Sequence, residues 1–203
     1  MAVIGITGSI GSGKTTFRDL LTERIAAAVF DADLAARDLL ENDGEVRRRV
    51  LAEISPAAYG PDGVADRAEI RRIVFADPAA KARLEGILHP GVRRQWTMRA
   101  ADPAYRIRHF LVDIPLLFET NAEEHFHWIV TVACSGDIQL RRLVGRGLAP
   151  GLAAKIIGSQ LPPAEKIARS THVVWNDGSL EVLKAQVEIF AAWLANARIP
   201  DDD

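Results

Sequence analysis

A chain of 203 residues with 25 Lys and Arg against 27 Asp and Glu, a formal net charge of −2, suits one α/β domain with room for a helical insertion. It is too short for a large multidomain assembly, and it lacks the general basicity that suits a nucleic-acid backbone. Apolar residues make up 48% and charged residues 26%, a balance that excludes a disordered or fibrous chain. Taken in order, Val3 to Thr7 is a short apolar run stopped by glycine, and Ala28–Asp31, His109–Asp113, Trp128–Cys134 and His172–Trp175 resemble it. Such runs read as buried strands of a parallel sheet. Helical patterns lie between them at Lys14–Ala27, Ala32–Leu40, Asp137–Arg146 and Ser179–Asn196, and strand alternating with helix predicts a doubly wound, three-layer α/β fold on five parallel strands.

The interval 41–108 has no convincing strand but several amphipathic stretches, Glu45–Ile54, Arg67–Phe75, Ala79–Leu88 and Val92–Ala101, with His89-Pro90 as a helix-breaking pair. Two readings apply to it: an insertion carrying acceptor-substrate contacts, or helices that cover the sheet. Residues 146–165 have glycine and proline at both ends of a short helix, the composition of a mobile lid on an otherwise single 1–203 domain. The terminal Asp201–Asp203 is expected to be disordered. No apolar run approaches the roughly 18 to 20 residues of a membrane span, and the amino terminus reads as strand and glycine loop instead of a signal peptide. One cysteine, Cys134, permits no intramolecular disulfide. It reads as a buried strand-end residue, and a reducing, cytoplasmic setting follows.

Gly8 to Thr15 fits G-x-x-x-x-G-K-[ST], directly after a strand and before a helix, which is the context that motif needs. Glycines at 8, 11 and 13 let backbone N–H groups of the loop, Ser12 among them, turn inward around phosphate oxygens, and the following helix adds the positive end of its dipole. Lys14 then meets the β and γ phosphates of ATP, and the Thr15 hydroxyl is placed for Mg²⁺. The second strand ends in Asp31-Ala-Asp33, two carboxylates at the sheet's carboxyl edge. Asp33 reads as general base on an acceptor hydroxyl or as a Mg²⁺ ligand through water, and Asp31 as a tether or a helix N-cap; the cap reading also applies to Asp33.

Arg142 and Arg146, four apart, are expected on one helix face, where they would meet the negative charge of phosphoryl transfer, or else form a solvated basic face. Asp113 ends the third strand, facing phosphates or Mg²⁺, or serving structure only. His89 alone reads as a capping or packing residue. His125 and His127 beside Glu123 and Glu124 are too thin a set for a metal site.

Together, GITGSIGSGKTT, DADLAAR from Asp31, DRAEIRRIVFADPAAKARLEGILHP from Asp66, DIPLLFE from Asp113, Gln160-Leu-Pro162, Lys166 and Asn176-Asp-Gly178 resemble the dephospho-CoA kinase family, from Val3 to about Val187. The resemblance implies a nucleotide-kinase-like fold with core, lid and CoA-binding regions. It implies use of Mg²⁺ and ATP to phosphorylate the ribose 3′-hydroxyl of dephospho-CoA. By that carry-over, Gly11 to Thr16 cradle the phosphates and Asp33 is the base. Arg37, His89 and Arg93 lie toward the acceptor, Arg142 and Arg146 on the lid side, and Asn176 at the adenine end. The implied partners are these small molecules only, with no nucleic acid or membrane, in a monomer or small homo-oligomer. The chain departs from the family pattern at Ser9, Thr15, Gly147 and Ser170–Trp175. Another small-molecule kinase of this fold is the near alternative, although the Gly-Gly pair of shikimate kinases is absent. The N-K-x-D and D-x-x-G strings of a GTPase are absent too.

Overall fold

The computed structural model describes residues 2–103 and 109–199; the terminal Asp201–Asp203 lies outside them. The chain divides into two compact units, one of residues 1–30 and 102–203, the other of 31–101.

In the first unit, strands β1 (Ala2–Thr7), β2 (Ala27–Asp31, whose last residue is counted with the second unit), β3 (His109–Asp113), β4 (Trp128–Ala133) and β5 (His172–Trp175) form one sheet in the order β2-β3-β1-β4-β5. β1 runs parallel to β3 and β4, and β4 to β5. β1, β3 and β4 are buried at every position, the reason they are continuous apolar runs and not alternating ones. On one face Ala2, Ile4 and Ile6 pack with Phe17 and Leu21 of helix α1 (Lys14–Thr22) and with Leu183, Val187, Phe190 and Leu194 of the last helix (Leu180–Asn196). On the other, a Cβ at Gly5 would stand 2.6 Å from Leu117, so the segment after β3 lies directly on the sheet.

One boundary differs from the sequence expectation by more than a helical turn. α1 ends at Thr22, not Ala27. Residues 23–26 form a turn, with Arg24 and Ile25 N–H groups bonded to the Leu21 carbonyl. Ile25 and Ala27 pack against the core, so sheet formation overrides the helix preference of the alanine run.

The second unit is helical: α2 (Ala32–Asn42), α3 (Gly44–Glu53), α4 (Arg67–Ala76) and α5 (Pro78–Ala101). Aspartates open them. Asp31 accepts from Leu34 N–H at 3.0 Å, Asp43 from Glu45 and Val46, Asp66 from Ala68 and Glu69, and Asp77 from Ala79, each satisfying an otherwise orphaned first-turn donor. The interval also holds an isolated antiparallel bridge between Tyr59 and Ala65.

His89-Pro90 does not break a helix. α5 runs unbroken for 24 residues with Pro90 inside it, correcting the expectation of two helices at 79–88 and 92–101. Proline removes one backbone hydrogen bond and crowds the preceding turn. Here Ala80, Ile87, Leu88, Val92 and Trp96 are all buried, and packing against α2, α3 and α4 offsets that local cost.

Candidate active site

β1 ends at Thr7 and the chain enters the glycine loop, where Gly8, Gly11 and Gly13 take φ of 150°, 80° and 93°. Gly13 caps α1 without a side-chain partner, and a Cβ there would fall 2.2 Å from Asn176 Nδ2. At Gly8 the obstacle is backbone, since a Cβ would lie 2.3 Å from the Val132 carbonyl oxygen. Gly8→Ala is therefore expected to cost about 2 to 4 kcal/mol of stability from strain and overpacking. Urea unfolding tests this, and a loss below about 1 kcal/mol would show that the strand-to-loop junction relaxes around a methyl group.

The loop's carbonyls point at side-chain donors. Gln139 Nε2 donates to the Ile10 carbonyl at 2.6 Å, and Ile10 N–H donates to Gln160 Oε1 at 2.9 Å. Arg142 Nη1 donates to the Gly11 and Ser12 carbonyls at 3.2 and 3.1 Å and its Nη2 to the Asn176 carbonyl at 2.9 Å. Asn176 Nδ2 donates to the Ser12 carbonyl at 2.8 Å, and Ser12 N–H bonds Ser9 at 3.0 Å. With these carbonyls bonded to side chains, the loop's remaining amides and the start of α1, which has no side-chain cap, suit an anion. The Ser12 N–H, expected to face phosphate, is instead donated to the Ser9 carbonyl, and that of Ile10 to Gln160.

Lys14 extends from the first residue of α1 and pairs with Asp113 Oδ1, while Arg18 Nη1 meets Asp113 Oδ2 at 2.9 Å. The Asp113 side chain is 2% exposed. Strand register explains its place, since Asp113 sits opposite Ile6 at the end of β3. Thr15 and Thr16 are exposed on the first turn of α1. Arg142 belongs to α6 (Gly136–Gly145), but Arg146 is the residue that ends it and is exposed. The two arginines therefore do not share one helical face: Arg142 bonds the loop's carbonyls, and Arg146 is exposed just past the helix end. Asn176, read as an adenine contact by resemblance, is buried beneath the loop in this structure.

Beyond the loop, Lys166 is fully buried. Its ammonium donates to the Pro115 carbonyl at 2.9 Å and to Glu119 at 3.1 Å, and Glu119 accepts from Leu161 N–H at 3.0 Å. Glu119, Gln160 and Lys166 lie in the segments that carry the family resemblance but have no role assigned there, and Gln139 and Arg18 are not singled out at all. The contacts these residues make with Ile10, Asp113, Pro115 and Leu161 span distances along the chain that no local pattern shows. Burial pushes the Cys134 thiol up from its ordinary range, which disfavours a nucleophilic thiolate. His127 Nδ1 accepts from Val3 N–H at 3.0 Å, and among the described residues no three His, Cys, Asp or Glu side chains form a metal cluster.

In the second unit, Asp31 is the N-cap of α2, whereas Asp33 stands exposed in its first turn and Arg37 one turn later, also exposed. Along α5 a groove of about 550 Å³ is lined by Glu85, His89, Pro90, Arg93, Arg94 and Thr97. Burial, opposed by the Glu85 charge and aided by that of Arg93, holds the His89 pKa below its ordinary value. Arg93 and Arg94 give this groove a cationic wall.

A model of the dephospho-CoA kinase family matches residues 2–181. The chain belongs to the dephospho-CoA kinase family. It is 40% identical over 192 residues to a dephospho-CoA kinase of Cupriavidus pinatubonensis, covering 93% of this chain and 92% of that one. Among solved structures, a Thermus thermophilus protein superposes with a TM-score of 0.79 at 35% identity over 94% of this chain and 96% of its own. A dephospho-CoA kinase from Campylobacter jejuni, at 23% identity and TM-score 0.69 over 96% and 97%, shares the fold. The family match covers the glycine loop, the DAD segment, the His89-Pro90 pair, DIPLLFE and Asn176. No helix among the described residues is long and apolar enough to cross a membrane.

Proposed function

We propose that the chain transfers the γ-phosphoryl group of ATP to the ribose 3′-hydroxyl of dephospho-CoA, giving CoA and ADP. The observation that carries the reading is the glycine loop, with its carbonyls held outward by Gln139, Arg142 and Asn176 and Lys14 beside it. Family membership supports the acceptor. The loop amides and Lys14 hold the phosphates, and Lys14 and Arg146 stabilise charge as the phosphoryl group moves. Arg142 acts by keeping the loop in shape. Asp33 takes the proton from the acceptor hydroxyl. Arg37, His89 and Arg93 hold the acceptor, for whose phosphates the cationic wall of the α5 groove is suited. Residues 41–108 supply the acceptor side and 146–165 the lid.

The hard cation is Mg²⁺, which neutralises phosphate charge when bound. Thr15 would hold it through its hydroxyl, and Asp33 through water. A site this poor in carboxylates suits an ion that takes most of its oxygens from phosphate and water. The enzyme acts in the cytoplasm as a monomer or small homo-oligomer.

An acceptor panel tests the proposal. With Mg²⁺ and ATP, ADP release is expected with dephospho-CoA and not with adenosine, AMP or shikimate. Release with dephospho-CoA no faster than without acceptor would reject it, and release with shikimate would favour the alternative small-molecule kinase.

A further inference from the structure

Two cations share one buried carboxylate. Asp113 carries Lys14 on one oxygen and Arg18 on the other. Lys14 and Arg18 are four residues apart on α1, hence on one face of it. Their restraints differ. The Arg18 guanidinium is also bonded through Nε and Nη2 to Asp19 Oδ1, at 3.0 and 2.9 Å. It is pinned from two sides by carboxylates. Lys14 carries a compact charge on a flexible stem, and an incoming polyphosphate offers it a new partner.

That transfer has an electrostatic consequence. When Lys14 turns to a phosphate, the Asp113 carboxylate, 2% exposed, loses one of its counter-ions. A buried charge left unpaired is strongly unfavourable. We propose that Arg18 is a positioning residue: it retains the Asp113 carboxylate so that Lys14 can leave it for the nucleotide. Arginine suits the task because its guanidinium stays charged at any working pH. Without it, Asp113 competes with phosphate for Lys14 and nucleotide binds more weakly.

This inference rests on nucleotide binding at the glycine loop, and calorimetric titration of ADP into the full chain separates the two ideas. Wild-type protein that does not bind ADP would overturn both. Given wild-type binding, Arg18→Met is expected to raise the ADP Kd about tenfold, the size of coupling seen between charges in contact. In an Asp113→Asn background the same substitution should change Kd by less than about twofold, because the competing charge is gone. Arg18→Lys, which keeps the charge and most of the packing, should fold and bind close to wild type. If the methionine variant does not fold, Arg18→Gln, which removes the charge and keeps most of the packing, takes its place in the same two backgrounds. An equal effect of Arg18→Met in both backgrounds would mean that Arg18 meets the phosphates itself, and an unchanged Kd, or an Arg18→Lys variant with tenfold weaker binding, would equally overturn the proposal.

Discussion

Asp33→Asn is expected to slow turnover by roughly 10² to 10⁴ while leaving ADP affinity within about twofold, the loss that follows removal of a general base. The substitution keeps the side chain's shape and removes its ability to take a proton. Of the two aspartates around the end of β2, Asp31 is committed to capping α2 through Leu34, whereas Asp33 projects from the exposed face of the first turn. Because the cap is intact in the variant, α2 should form normally and thermal stability should change little. Steady-state kinetics with dephospho-CoA, paired with ADP titration, separates chemistry from binding. Turnover near the wild-type value would move the role of base to another carboxylate.

Lys14→Ala is expected to reduce turnover at saturating ATP by roughly 10² to 10³, the usual effect of deleting one preorganised charge from a transition state, and to weaken nucleotide binding as well. Asp113 keeps Arg18 at 2.9 Å, so its carboxylate is not stranded and the protein should remain folded. An unchanged rate at saturating ATP would limit Lys14 to ground-state binding.

The centre of the sheet was legible because β1, β3 and β4 are buried on both faces and so appear as apolar runs; the edge strands β2 and β5 are only partly buried. His109–Asp113 and His172–Trp175 coincide with the observed strands, and the others differ by one residue at an end. Punctuation by proline and the alanine run misled, for a shared reason. At Pro90 and at Glu23–Ala27 tertiary packing overrides a local preference, and a local reading has no access to what packs there. The glycine loop itself was plain. The contacts that support it were not: Arg142, Gln160 and Asn176 stood out in the sequence for other reasons, but with Gln139 they reach the loop from 129 to 164 residues away in the chain, through backbone atoms that carry no sequence signature. The burial of Lys166 was not foreseen for a different reason: lysine is ordinarily a surface residue, and only its carbonyl and carboxylate partners make full burial tolerable.

Ile10 is gripped on both sides of its Cα, its carbonyl by Gln139 and its N–H by Gln160, and Gln160 belongs to the 146–165 segment. A displacement of that segment therefore pulls on the backbone of the glycine loop. Thermodynamic reciprocity then applies: if one posture of the segment favours nucleotide by some factor, bound nucleotide favours that posture by the same factor. A single glutamine makes the cradle and the segment a mechanically linked pair.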